Sequence, residues 1–356
     1  MKDRIYVCHT YYHVYVSFLK EYALDPDRKG GATILLSSLS TDFETLGERL
    51  GALDFFEEVL EFDEKRDTFF PELFKWKKNH NNLILNMLSR IIFTKKYAKL
   101  EAAYIPVDFK EYQDIYVYCD SDPVGYYLNQ NRIAYHAMED GINCLKIYDA
   151  ARYDNRGCFG LKVLLSKWNL IFIQNGYGKY CIDMEINDRS CLKYDCKKYK
   201  EVPRKPMEEA LTAQQKEMII RAFVQDADSL LDQIVHANKD QKNIMLLTEQ
   251  LCTLPIREQI FRDIIREYCD GARVFIKPHP RDELDYETLF PEHIVIKGKF
   301  PMEVLNLMEG IHFHQAIAVF TQAVYEMEFV DEILFLGEDF MDQYEDPDVH
   351  RYNDKI

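Results

Sequence analysis

Short strand-like runs alternate with helical patterns along almost the whole chain, and this rhythm is the tightest constraint on its fold. It predicts parallel sheets flanked by helices, because a parallel strand pair needs a long crossover that a helix usually fills. A first block reads as strand 5–8, helix 11–24, strand 33–36, strand 114–118 and strand 133–136. Between the second and third of these strands lies a helical excursion over 68–103, long for a simple crossover. A second block reads as strand 243–247, helix 256–269, strand 272–276 and strand 294–296, then a helix near Pro301. Strand 316–319, a helix from 322 and strand 333–336 complete it. A long helical pattern over 208–238 joins the blocks. The fold class is therefore α/β, with two Rossmann-like domains whose ligands belong at strand C-terminal ends.

Composition narrows the function. The 356 residues, 47% of them hydrophobic, exceed one ordinary core and exclude wholesale disorder. Acidic residues number 60 against 44 basic ones, and a net charge of −16 excludes general nucleic-acid binding. No run of eighteen apolar residues suggests a spanning helix, and the first residues carry no apolar leader pattern. The nine cysteines contain no Cys-x-x-Cys pair, so reduced thiols and a cytoplasmic setting are expected. Neither block has a Gly-x-Gly-x-x-Gly turn or a Walker loop, which leaves α/β proteins that hold nucleotides some other way.

The stretch Lys277-Pro278-His279-Pro280-Arg281-Asp282 directly follows strand 272–276. Its prolines stiffen the backbone on both sides of an imidazole that two cations flank. That grouping suits an anionic leaving group such as a departing phosphate. The plainer alternative is a stiff loop with a structural histidine. Glu139-Asp140-Gly141 follows strand 133–136; the like charges are expected to raise one carboxyl toward the range of a general base. A solvated turn is the alternative.

Other strand-end segments have two readings each. Phe320-Thr321-Gln322 opens an expected helix, where Thr321 could cap the helix or its N–H groups could bind phosphate. Glu303 could accept ribose hydroxyls or favour a helix dipole. His9-Thr10-Tyr11-Tyr12-His13 offers rings to a sugar or ordinary helix-start packing. Asp120-Ser121-Asp122 before Pro123 reads as a helix cap in preference to a metal-binding pair. From Glu72 to Leu100 the excursion carries seven cations against one acid, with Leu83, Ile84, Met87, Leu88, Ile91 and Ile92 at helical spacing. Such a helix packs on its own domain or a second subunit, or rests on an anionic membrane.

In order and strand-end context, these features resemble the bacterial sialyltransferases of the GT-B fold. They are most similar to glycosyltransferase family 52, the lipooligosaccharide and capsule sialyltransferases. Cys8-His9-Thr10, Glu139-Asp140-Gly141 and His279-Pro280 carry the resemblance. It implies two Rossmann-like domains whose parallel sheets face an inter-domain cleft. The division expected is an acceptor-side domain 1–205, a helical linker 206–240 and a nucleotide-donor domain 241–356.

The same resemblance implies roles. Asp140 would be the general base, supported by Glu139, with His9, Thr10, Tyr11 and His13 on the acceptor side. His279 would serve the leaving phosphate, with Lys277, Pro280 and Arg281 beside it. Glu303 would hold the ribose, and Thr321 and Gln322 stand where the family has two small hydroxyl residues on the phosphate. Gln322 departs from that pattern. Some members draw their base from the C-terminal half, for which Glu249 and Glu258 are the candidates here.

The expected reaction is inverting, metal-independent and cofactor-free transfer from CMP-sialic acid to a terminal sugar hydroxyl of a glycan or glycolipid. Competing expectations are a Kdo transferase, a CDP-glycerol glycerophosphotransferase or a non-catalytic nucleotide-binding module. A cytoplasmic enzyme, peripheral at the inner face of the membrane through 72–100 and dimeric through its helices, completes the reading.

Overall fold

The computed structural model describes residues 2–24, 26, 31–141, 143–146, 149–235 and 241–350. The chain divides into two compact units, Met1–Leu211 and Thr212–Ile356. The first holds a seven-stranded sheet of β1 (Lys2–Cys8), β2 (Ala32–Ser37), β3 (Glu58–Phe62), β4 (Tyr112–Tyr118), β5 (Tyr135–Met138), β6 (Cys181–Ile186) and β7 (Tyr199–Glu201). Their spatial order is β3-β2-β1-β4-β5-β6-β7, and every pair is parallel. The chain therefore leaves β1 in one direction and returns on its other side with β4. That reversal opens a crevice beyond the C-terminal ends of β1 and β4.

Burial explains the legible strands. All six residues of β2 are buried, as are Ile5–Cys8 and the last four residues of β4, because helices cover both faces of a parallel sheet. Strands β3, β6 and β7 escaped the sequence pattern for the opposite reason, since acidic residues interrupt them. Asp183 of β6 accepts from His136 Nδ1 at 2.7 Å and pairs with Lys200 of β7, while Glu185 pairs with Lys20 at 2.8 Å. Strand β5 is also displaced from the expected 133–136, so that Glu139 directly follows its last residue.

Helix α1 (Tyr11–Leu24) follows β1, α2 (Leu46–Ala52) follows β2, and α4 (Pro123–Gln130) follows β4. The excursion resolves into short 3-10 turns at Asp67–Phe69 and Pro71–Trp76 and the helix α3 (Leu83–Glu101). Its C-terminal half buries Thr94, Tyr97, Ala98 and Glu101. Its N-terminal half leaves Leu83, Ile84, Leu85 and Leu88 exposed, so the apolar spacing there does not mark core packing within the unit.

The second unit holds β8 (Asn243–Leu247), β9 (Arg273–Lys277), β10 (Ile294–Val295), β11 (Phe313–Ala318) and β12 (Val330–Phe335) in the order β10-β9-β8-β11-β12, again all parallel. Its reversal falls between β8 and β11. The single helix expected over 208–238 is instead three, Arg204–Glu209, Ala213–Phe223 and Ala227–Val235. A capping box at Thr212 starts the second: Thr212 Oγ1 accepts from Gln215 N while the Gln215 side chain accepts from Thr212 N. Residues 236–240 of the expected linker lie outside the described residues. The helix expected from 322 is a short 3-10 turn, Gln322–Glu326. Among the described residues no helix is long and apolar enough to cross a membrane.

Candidate active site

In the first unit, the crevice beyond β1 and β4 gathers two imidazoles, three carboxylates and a thiol. His9 leaves the end of β1 fully buried, with Nε2 2.9 Å from Glu64 Oε2 and 3.4 Å from Asp122 Oδ2. Burial opposes a charge on His9, but Glu64 and Asp122 outweigh it and raise the imidazole to about 9. Glu64 is the hub. Its Oε2 also accepts from Ser37 Oγ at 2.7 Å, and its Oε1 accepts from Val124 N at 2.7 Å.

That last bond corrects the expected cap of α4. Asp122 occupies the N-cap position but makes no side-chain cap bond; it turns toward His9, and Glu64 satisfies the first turn. Burial, offset by His9 and reinforced by Glu64, raises the Asp122 carboxyl to about 7. Asp120 is structural, accepting from Tyr135 Oη at 2.9 Å and Asn175 N at 2.8 Å.

Four residues further along, His13 is also fully buried and stacks on Tyr118 with ring centroids 4.4 Å apart. The backbone N–H of His9 donates to His13 Nδ1 at 3.0 Å, which fixes the neutral tautomer with its proton on Nε2. Burial keeps His13 neutral by lowering its pKa. Its Nε2–H therefore donates to Asp140 Oδ1 at 2.8 Å. The Asp140 side chain retains 44% of its exposure. One carboxylate oxygen is thus held from behind while the group stays open to a ligand.

The expected raising of one carboxyl in the acidic pair falls on the wrong member. Burial works to raise Asp140, but the hydrogen bonds from His13 and Cys119 prevail and hold it well below the usual carboxylate range. Glu139 is the raised one, through burial against the pull of Arg204, and it is only 4% exposed. Its Oε2 accepts from Asn187 N at 2.6 Å, so Glu139 ties β5 to the segment after β6. Cys119 takes a left-handed backbone conformation at φ 51°, a costly one for a residue with a Cβ, and this turns its thiol under Asp140.

Elsewhere in the first loop, Tyr12 is half-buried with the Arg204 guanidinium 5.4 Å from its ring centroid. Thr10 Oγ1 accepts from His13 N at 3.3 Å as the helix begins, and Tyr11 is buried against Phe43.

In the second unit, His279 sits just beyond β9, beside the β8–β11 reversal. His279 N donates to Thr248 Oγ1 at 3.0 Å, and Thr248 Oγ1 donates to Asp282 Oδ2 at 2.9 Å. Asp282 also receives Arg257 Nη1 at 2.5 Å and Tyr286 Oη at 2.7 Å. Arg281 N donates to His279 Nδ1 at 3.2 Å, which leaves the ring proton on Nε2. Burial, then Arg281, lower the imidazole to about 4, so it is neutral at pH 7. The joining of Asp282 to Thr248 and Arg257 escaped sequence reasoning, because those two partners lie 34 and 25 residues away.

The other expected residues disperse. Lys277 is only 3% exposed; its Nζ donates to Gly298 O at 2.8 Å and lies 3.9 Å from the Phe300 ring centroid. Burial lowers it to about 7. Pro280 is half-buried and Arg281 exposed. Glu303 begins the short helix Glu303–Asn306. Thr321 caps its 3-10 turn through Ala323 N, and Gln322 opens that turn. Just before that turn, Glu249 Oε1 accepts from both Phe320 N and Thr321 N at 2.7 Å. Glu258 pairs with Arg262 on the helix Leu254–Tyr268.

Comparison with known proteins settles the family. The model of glycosyltransferase family 52 matches residues 63–330, three quarters of the chain and parts of both units. The chain belongs to glycosyltransferase family 52. The family's GT-B type of fold fits the two all-parallel Rossmann-like sheets. The α/β-galactoside α-2,3-sialyltransferase of Photobacterium phosphoreum aligns with a TM-score of 0.52 at 14% identity, covering 93% of this chain and 90% of that one. The 2,6-sialyltransferase of Photobacterium sp. JT-ISH-224, solved with CMP and lactose, aligns at 0.53 and 12% identity, covering 94% and 71%. At such identities the likeness is one of fold. An uncharacterized protein of Haemophilus influenzae is 35% identical over 107 residues, 26% of this chain. The match spans 34% of that relative's length.

Proposed function

We propose that this family 52 protein moves sialic acid from CMP-sialic acid to a sugar hydroxyl of a surface glycan, with inversion and without a metal. The observation that carries the reading is the open Asp140 carboxylate, ionised and aimed by the buried His13. A hydroxyl that binds there loses its proton to Asp140 as its oxygen attacks the anomeric carbon. Covering Asp140 with substrate removes water and strengthens it as a base at the moment of reaction.

The leaving group is a nucleoside monophosphate. His279 serves it as a neutral hydrogen-bond donor through Nε2–H, because a ring lowered to about 4 carries no charge at pH 7. The exposed Arg281 guanidinium adds positive charge beside it, and Glu303 is assigned to the ribose. Lys277 contributes from behind, since its amine is committed to Gly298. The nine free cysteines agree with a cytoplasmic setting.

Incubation of the purified protein with CMP-sialic acid, lactose and EDTA tests this. The expected result is CMP release that lactose accelerates and EDTA leaves unchanged, with an inverted anomeric product by NMR. Consumption of CMP-Kdo or CDP-glycerol in its place would overturn the donor, and CMP binding without turnover of any donor would overturn catalysis.

A further inference from the structure

The first unit contains a cavity of about 800 Å³ that is lined in part by Asp122 and so adjoins the carboxylate site. Its other lining comes from the 3-10 turn ending at Trp76, from α3, from the start of α4 and from the loop around Arg156. The connection to Asp140 is close. Cys119, His9 and Asp122 offer ligand atoms within 4.8 Å of one another, and Cys119, His13 and Asp140 do the same. One thiol therefore bridges the base and the cavity.

The charge in this cavity runs against the rest of the protein. Two of its three acids are paired with cations, Asp67 with Lys77 and Asp122 with His9, and the third, Asp154, accepts from the neutral Gln174 Nε2 at 2.8 Å. Arg66, Lys78, Arg90, Arg156 and Lys162 also line it; among the described residues none of these five forms an ion pair with a carboxylate, and Arg66 acts on Asp122 only through space. Lys162 is only 8% exposed, and its Nζ donates to Arg156 O at 2.8 Å. Burial and then the charge on Arg90 make its ammonium harder to hold. Five cations outside any ion pair, against the single such acid Asp154, leave an excess of positive charge in one concavity of a chain of net charge −16 and form a standing attraction for an anion.

Two further features point to a saccharide. Trp76 Nε1 is buried and has no hydrogen-bond partner, an unmet donor of the kind a ligand oxygen satisfies. The rings of Trp76, Phe93 and Tyr126 line the same space, and aromatic faces suit the apolar face of a sugar.

We propose that this cavity binds an anionic group, a phosphate or a carboxylate, carried by the acceptor glycan next to the sugar that receives the transferred residue. The proposal rests on the reading of Asp140 as the acceptor base and names the acceptor's chemical class. A neutral acceptor would leave the cavity's charge unmatched. An anionic one would gain charge-assisted hydrogen bonds there, with Arg groups able to engage it through two donors at once.

Three probes with the same terminal galactose test it: lactose, lactose 1-phosphate and lactobionate, titrated calorimetrically into the full chain without donor. The expected result is that one or both anions bind at least about tenfold tighter than lactose, the order of one charge-assisted contact. High salt should narrow that gap, as should the surface double variant Lys78→Gln, Arg156→Gln. The phosphate and carboxylate arms separate the two sources of negative charge. Equal affinity for all three probes, or a preference that both salt and the variant leave intact, would overturn the proposal. Turnover of lactose with no anionic preference removes this inference and leaves the transfer reading standing. An anionic preference without any turnover does the reverse.

Discussion

His13 Nε2 lies 2.8 Å from Asp140 Oδ1, joining the start of α1 to the loop after β5, 127 positions apart and two strands away in one sheet. The His9 backbone N–H sets the tautomer of His13, so the acid loop is aimed by a fully buried histidine. Two consequences differ between the carboxylate and its support. Asp140→Asn should lose turnover by about 10²-fold or more while CMP binding is retained, the usual scale for removing a positioned base. His13→Gln should reduce kcat less and move the acid limb of the pH–rate profile upward, because the bond that depresses Asp140 is weakened. A profile unmoved in His13→Gln would remove the positioning role.

Glu249 is the competing base, and its geometry argues for a structural task. Its Oε1 holds the backbone N–H groups of Phe320 and Thr321. Glu249→Gln keeps an acceptor in that place and should retain turnover within about tenfold, whereas loss comparable to that of Asp140→Asn would transfer the base to the second unit.

His279 should act as a neutral imidazole that donates through Nε2–H. Its pKa of about 4 predicts no loss of activity as pH rises through the ordinary histidine range. His279→Ala should lower turnover about 10²- to 10³-fold, the scale of one transition-state hydrogen-bond donor. Thr248→Val removes the hydroxyl that receives His279 N–H and reaches Asp282, and should raise the donor KM with a smaller loss of kcat. Kinetics of both variants across pH 5–9 checks this.

Glu101 makes stability depend on pH. It is fully buried in α3, and burial, then the nearby Glu64, raise its carboxyl to about 8. The folded protein therefore holds a proton that the unfolded chain has released above the ordinary carboxylate range. Its stabilising contribution is complete at low pH and is lost as pH rises from about 4.5 to about 8, at about 1.4 kcal/mol per pH unit. Glu101→Gln should gain on the wild type across that interval and level off above it. Denaturant midpoints of the two proteins at several pH values measure the difference.

Gly125, in the first turns of α4, has no room for a side chain. A Cβ there would stand 1.9 Å from Asp120 O and 2.8 Å from Phe172 Cζ. Gly125→Ala should cost at least about 1–3 kcal/mol of stability through overpacking. The shift falls on the Cys119–Asp122 loop, so kcat should fall as well. An alanine variant with wild-type melting and turnover would contradict the packing.

The alternating rhythm of apolar runs determined most of the architecture without help from tertiary detail. A strand buried on both faces must be continuously apolar, so β1, β2, β4, β8, β9 and β11 declared themselves. The end of β9 then located His279, because loops after parallel strands are short, while Asp140 was reached from β5, which the sequence placed two residues early. Edge strands such as β3 and β7 stayed hidden, since half-exposed strands tolerate charge.

Only the tertiary structure decided which neighbour each charge meets. Glu64 joins His9 from 55 residues away, Asp282 is braced by Arg257 and Thr248, and Glu249 holds the N–H groups of Phe320 and Thr321. Such pairings depend on distances of a few ångströms between segments remote in sequence, and pKa follows those distances. That is why adjacent Glu139 and Asp140 shift in opposite directions: one packs in the interior against Asn187, and the other faces His13.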